Sequence, residues 1–244
     1  MSPINFIELK IQPESLLMSD FHKNWMDIPI HILDFEGNGY SGVVEFGLAT
    51  VKGGEVVEAR SEFCKPQGRI PRREMELHGI ANEDVADAEP LKAHWDYFIG
   101  LRQCGPLGAH HASVEENLLK RTWSHPRMAP DFLHPDQSIA EWGPWLDTKE
   151  LYTNLFPKLE SYGLGKLIST FDLLPQVEEL AGRFCPPSRR QFHAALFDAI
   201  ASAVLLLNLA SYPELTAHIT LPWLLTQSLS GSAKKQEALQ AKLF

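Results

Sequence analysis

Apolar and polar positions begin to fall into regular blocks at residue 28. Residues 28–37, IPIHILDFEG, are an apolar run closed by acids and a glycine, the mark of a buried strand that ends at a turn. Residues 43–51 and 55–63 are two β-rich runs around Lys52-Gly53-Gly54, which predicts a hairpin. Helical spacing follows over 71–80 and 90–101, with Asn82 and Pro90 as start signals. GPLGAH (105–110) predicts a short strand leading into a helix over 113–123. GPWLDT (143–148) repeats the idea, with a helix over 149–156. Further helices are predicted over 164–170, 174–183 and, most strongly, 193–210, where Ala and Leu dominate. Residues after Pro222 alternate enough for one more helix. The order is strand, hairpin, helices, strand, helix, strand, helices. It predicts an α/β layered domain in which a hairpin feeds a mostly parallel sheet. Residues 1–27 show no clear period and read as an N-terminal extension, 28–210 as the domain, and 211–244 as a C-terminal helical extension.

Composition narrows the function. At 244 residues the chain can bury a sizeable core without staples. Its net charge of −9 argues against a general nucleic-acid coat, because phosphate binding wants a basic footprint. Cys64, Cys104 and Cys185 form no CxxC pair, so reduced thiols are expected rather than a disulfide frame or a zinc knuckle. The first residues include Glu8 and Lys10 and lack an unbroken apolar core, so no signal peptide is expected. The most apolar stretch, 199–207, is far short of the roughly 20 residues that span a bilayer. The expectation is a cytoplasmic protein without membrane association.

Candidate chemistry centres on acids. Asp34 and Glu36 are two apart at the end of an apolar strand, so both side chains share one face of the sheet. Two neighbouring carboxylates repel, and a divalent cation with a taste for hard oxygen ligands resolves the conflict. The spacing alone says little. About one D-x-E is expected by chance at this composition, and Asp87/Glu89 supplies a second in a polar stretch. What distinguishes Asp34/Glu36 is the strand end followed by Gly37-Asn38-Gly39, where backbone amides can approach a ligand closely. His193 and Asp198 form H-x-x-x-x-D, a pattern that also occurs at His22/Asp27. Five residues on a helix turn through about 500°, so this pair faces one site only if His193 precedes the helix. Glu115, in GAHHASVEENLL (108–119), falls on the first turn of a helix that follows a strand, where an ordinary N-terminal acid would also sit.

Taken in order, DFEGNG (34–39), GAHHASVEENLL (108–119) and HAALFD (193–198) resemble the three motifs of the DnaQ-like 3′–5′ exonucleases, in the DEDDh branch. Those motifs usually run D-x-E-T-T-G, H-N-x-x-F-D and H-x-x-x-x-D. Connecting segments are similar too: HGIANEDVADAEP (78–90), Trp145-Leu146-Asp147-Thr148 and Tyr162-Gly163-Leu164-Gly165-Lys166-Leu167. The resemblance covers about residues 28–210. It implies a ribonuclease H-like fold, an α/β five-stranded mixed sheet flanked by helices. It implies a metal-dependent enzyme that releases nucleoside 5′-monophosphates from the 3′ ends of DNA or RNA, with two divalent ions, Mg2+ or Mn2+. In that scheme Asp34 ligates both ions, Glu36 and Asp198 complete one site, Glu115 holds the other ion, and His193 is the general base.

Departures from the motifs are specific. Glu115 stands where the family has Asp, which moves the carboxylate outward by roughly 1.2–1.5 Å. His111 replaces Asn, Val114 an aromatic, and Gly37-Asn38 the Thr pair, leaving backbone amides for the terminal sugar. Tyr40 falls where the family places an apolar wedge, and stacking on a base there is worth about 1–3 kcal/mol. Arg190, with Arg189, Arg69, Arg72, Arg73, Lys120 and Arg121, is a candidate for a local basic rim. The alternative is a catalytically weakened binding or interaction module, motivated by Glu115 and the acidic surface. The remaining acidity points to short substrates, single 3′ ends, or delivery by a protein partner or a second copy.

Overall fold

The computed structural model describes residues 25–134, 136–216 and 219–230. Most of the 1–27 extension, and the end of the C-terminal one, lie outside the described residues. The strands are β1 (Ile30–Asn38), β2 (Gly42–Lys52), β3 (Glu55–Phe63), β4 (Leu107–Ala109), β5 (Ala129–Pro130), β6 (Ser138–Ile139) and β7 (Leu146–Asp147). Five of them form one sheet in the order β3-β2-β1-β4-β7. β1 pairs antiparallel with β2, and β2 with β3; β1–β4 and β4–β7 are parallel. The sheet is therefore evenly mixed rather than mostly parallel. The reason is a second tight turn. Asn38 Oδ1 accepts from the Tyr40 and Ser41 amides, folding β1 straight back into β2.

The helices are α1 (Arg72–His78), α2 (Trp95–Cys104), α3 (Ala112–Thr122), α4 (Thr148–Leu155), α5 (Leu164–Thr170), α6 (Leu174–Phe184), α7 (Ala195–Asn208), α8 (Pro213–Thr216) and α9 (Leu221–Gln227). Asn82 starts no helix. Its Oδ1 accepts from the Ile70 amide at 2.9 Å and fastens the turn after α1 to the loop before it. Pro90 does open a helical stretch, a single 3-10 turn (Leu91–His94) that continues into α2. α7 begins two residues later than its sequence pattern suggests. His193 has φ 64° and Ala194 is extended, so neither can continue a right-handed helix.

Alternation along β1 divides the interior. Ile30 and Ile32 join the larger core, together with α7 and the apolar residues of α5 and α6. Leu33 and Phe35 face the other way, into a core with Phe98, Leu119 and Trp142. Every residue of α7 from Ala195 to Leu206 is buried, as expected of a helix apolar on all sides at the centre of a fold. Trp25, Leu221 and Leu224 pack into the same larger core, so chain on both flanks of the 28–210 block is built into the body of the protein. The β5–β6 ribbon has no signal in the sequence; a fully buried Arg102 holds it, donating to the carbonyls of Pro130 (2.8 Å), Trp142 (3.1 Å) and Gly143 (2.6 Å). No helix among the described residues is long and apolar enough to cross a membrane.

Candidate active site

Asp34 and Glu36 lie on the face of β1 that carries Ile30 and Ile32, so the larger core ends in two carboxylates. The pairing with β2 slips between Glu36 and Gly37. Gly37 has φ 123°, and a Cβ there would collide with the Gly42 carbonyl, so this bulge requires glycine. Glu115 enters from the first turn of α3 and is only 5% exposed, and the Phe35 backbone at the strand end favours its charged form. Asp198, in the first turn of α7, accepts the His193 amide through Oδ2 at 3.1 Å. That bond brings the His193 ring, itself exposed, over the same spot. Ligand atoms of Glu36, His193 and Asp198 all lie within 4.8 Å of one another. H-x-x-x-x-D thus meets the geometric condition it sets, because His193 sits in the loop before α7.

The acids share a low-dielectric site and raise one another's affinity for protons. Glu36 is pushed up to about 8 by burial, then by Asp198 and Glu45, against the pull of Arg189. Burial and then Glu36 push Glu115 to about 8, against the Phe35 amide. Asp198 rises to about 7, chiefly by burial. Asp34 is raised well above the usual range by burial, then by Glu115, Asp198 and Glu36. At neutral pH such a cluster holds protons that a bound cation would displace. Glu115 Oε2 and Asp198 Oδ1 are buried without a hydrogen-bond partner. Buried, unsatisfied hard oxygens beside the Glu36, His193 and Asp198 group fit a divalent cation of the Mg2+ or Mn2+ type; Asp34 and Glu115 lie outside that group of ligand atoms.

Two supports are invisible to motif spacing. Glu45 stands directly across from Glu36 on β2, a like-charge pair that would be destabilising alone. Arg189 compensates it with a buried ion pair, and also donates to the His78 carbonyl. Glu45 further accepts from Ser61 Oγ and the Ala195 amide, both at 3.1 Å, so it ties β2, β3 and the start of α7 together. Residues 45 and 189 lie so far apart in the chain that only the sequence cue of an arginine pair near His193 hinted at this. Asp147 is the second support. It accepts the His111 amide at 3.0 Å, the Ala112 amide at 2.8 Å and the Lys149 amide at 2.9 Å. One carboxylate therefore caps α4 and sets the entry of α3, which aims Glu115.

The other candidates divide. Asn38 spends its side-chain oxygen on its own turn. Tyr40 stands at the tip of that turn, 73% exposed. His111 is exposed, with φ 73°, and its main chain is held by Asp147. Two of the three non-glycine residues with positive φ among the described residues, His111 and His193, flank the acids, a usual place for stored backbone strain. Arg190 points elsewhere: its guanidinium caps α6 through the carbonyls of Cys185 and Gly182, both at 3.0 Å. A helix C-terminus with orphan carbonyls attracts a cation, and Arg190 is the arginine within reach of it. Arg189 is the one that faces the acids.

No family model matches the chain. It is similar to the PolC-type DNA polymerase III of Thermotoga maritima, 27% identical over 153 residues or 61% of this chain. It is likewise similar to that of Oceanobacillus iheyensis, 27% identical over 197 residues or 78%. The chain spans only 10% and 12% of the length of these relatives. Among solved structures, exonuclease X in complex with 5′ overhanging duplex DNA aligns over 80% of this chain and 99% of its own, with TM-score 0.57 and 23% identity. The nuclease domain of 3′hExo, a DEDDh family member bound to rAMP, aligns over 77% and 93%, with TM-score 0.51 and 14% identity. The E. coli ExoI–ssDNA complex in its zinc-bound form aligns over 78% and 42%, with TM-score 0.54 and 12% identity. With its mixed sheet of order β3-β2-β1-β4-β7 flanked by helices, the chain has the ribonuclease H-like fold of the DEDDh, DnaQ-like exonucleases.

Proposed function

We propose that this protein is a metal-dependent 3′–5′ exonuclease that hydrolyses the terminal phosphodiester of DNA or RNA and releases nucleoside 5′-monophosphates. The observation that carries the proposal is the grouping of Glu36, Asp198 and the exposed His193 within 4.8 Å, with Asp34 and Glu115 near enough for the acids to raise one another's proton affinity and with buried oxygens left unpaired. Asp34, Glu36, Glu115 and Asp198 would hold two divalent cations, Mg2+ or Mn2+, which supply the positive charge that phosphoryl transfer requires. His193 accepts the proton of the attacking water at a ring nitrogen, in the place its backbone conformation fixes. Arg189 offsets the charge of Glu36 and Asp198 and keeps the His193 loop against the sheet. Backbone amides around Gly37 and Asn38 and the ring of Tyr40 receive the terminal sugar and base, with His111 at the rim. The weakened-module alternative rests on Glu115. Against it, the charge of Glu115 is felt by Asp34, so the longer side chain still reaches the cluster.

The test is degradation of matched 5′-labelled single-stranded DNA and RNA with Mg2+ or Mn2+. A ladder of shortening products that EDTA abolishes is expected. Asp34→Ala should remove the activity and leave the fold intact; if it degrades either strand as fast as wild type, the site is wrongly assigned.

A further inference from the structure

A cavity of about 430 Å3 lies just beyond the β1–β2 turn, on the side of the sheet away from α7. Its floor includes Val43 and Leu91, which belong to the core under α2 and α3. Its rim carries Lys65, Gln67, Lys92 and Arg121, and no carboxylate lines it. In a chain with 31 acids against 22 cations, three cations around one acid-free groove are a local reversal of sign. Lys65, Lys92 and Arg121 are exposed, and none pairs with a carboxylate among the described residues.

The groove borders the β1–β2 turn that follows Glu36. Val43 pairs across from Gly37, the residue after Glu36. Arg121 donates to the Gly39 carbonyl at 2.8 Å, and the Gln67 amide donates to the Ser41 carbonyl at 2.7 Å. The turn is therefore a lip between acids and groove, with Tyr40 standing on it. We propose that this groove binds the backbone phosphates of a single nucleic-acid strand whose 3′ end lies among the acids, with Lys65, Lys92 and Arg121 as the phosphate contacts. The identity of the strand rests on the exonuclease reading. The charge complementarity is independent of it. Lysines and an arginine around an apolar floor suit phosphates and sugars without demanding a sequence.

The experiment measures binding of a fluorescent single-stranded dodecamer and dinucleotide by anisotropy in EDTA, across a salt series. Wild type is compared with Lys65→Gln/Lys92→Gln; both side chains are exposed, and thermal melting checks the fold. Dodecamer affinity should fall by about 10-fold or more, dinucleotide affinity by less, and the salt slope by about 1.4, at about 0.7 per lost phosphate contact. Unchanged dodecamer affinity and slope in the variant would overturn the groove, as would no dodecamer binding by wild type. The two proposals fail separately. A protein that hydrolyses 3′ ends yet binds identically after substitution loses the groove alone. One that hydrolyses nothing yet loses dodecamer binding on substitution keeps the groove and loses the exonuclease reading.

Discussion

Glu115 shows how much a single side chain can be asked to do. It is one methylene longer than the aspartate of the motif it resembles, yet it is buried, has its charged form favoured by the Phe35 backbone, and keeps Oε2 unpaired. A shorter acid on the same turn of α3 keeps the charge, with its carboxylate drawn back by roughly 1.2–1.5 Å. Glu115→Asp should therefore retain or raise the rate of 3′-end hydrolysis, measured at saturating Mg2+. A fall of more than about 100-fold would show a site built around the longer acid. Asp34, Glu36, His193 and Asp198 are legible as candidates because their spacing and flanks are local properties of the chain. Glu45 and Arg189 are not, because a buried ion pair between residues far apart in sequence leaves no period and no motif. Arg190 illustrates the limit from the other side: adjacent arginines look alike in sequence, and only the end of α6 decides which one turns away.

Among the elements, the long β1–β2–β3 meander and α7 are legible because their apolar patterns run for nine residues or more. β4 and β7 have three and two residues, too few to display a period, and are signalled by flanking glycines and Asp147. The β1–β2 hairpin is legible in Asn38-Gly39, a turn pair that the reading of 34–39 as a ligand-facing strand end passes over; the Asn38 side chain closes it by accepting the Tyr40 and Ser41 amides. Asp147 joins two elements through one carboxylate. Its loss removes the cap of α4 and strands the buried Ala112 amide. Asp147→Ala should lower the unfolding free energy by about 2–4 kcal/mol in a denaturant titration, with Asp147→Asn, which keeps one acceptor oxygen, in between. An unchanged midpoint would show that the turn into α3 holds itself.

For the whole molecule, the acids make stability depend on pH and on cations. Glu36 and Glu115 move from an ordinary 4.5 to about 8, and Asp198 from 3.8 to about 7. The native state thus binds more protons than the unfolded chain over that interval. This contribution is complete below the unfolded values and is lost as pH rises through about 7 to about 8. In EDTA the melting temperature should fall between about pH 5 and about pH 8, and Mg2+ should restore more of it at the upper end than at the lower. Asp198→Asn should flatten the slope; a melting temperature independent of pH in wild type would mean that the acids are ionised throughout.

Gly47 gives the molecule a different kind of durability. A side chain there would fall into the Ala195–Leu196 peptide, so the strand beside β1 and the helix that carries Asp198 meet main chain against main chain. A joint of that kind owes nothing to the shapes of the residues around it. The interior can drift, methyl by methyl, over long evolutionary time, while the gap between the two halves of the acid cluster stays the width of a backbone contact. The one substitution this joint cannot absorb is the addition of a single carbon.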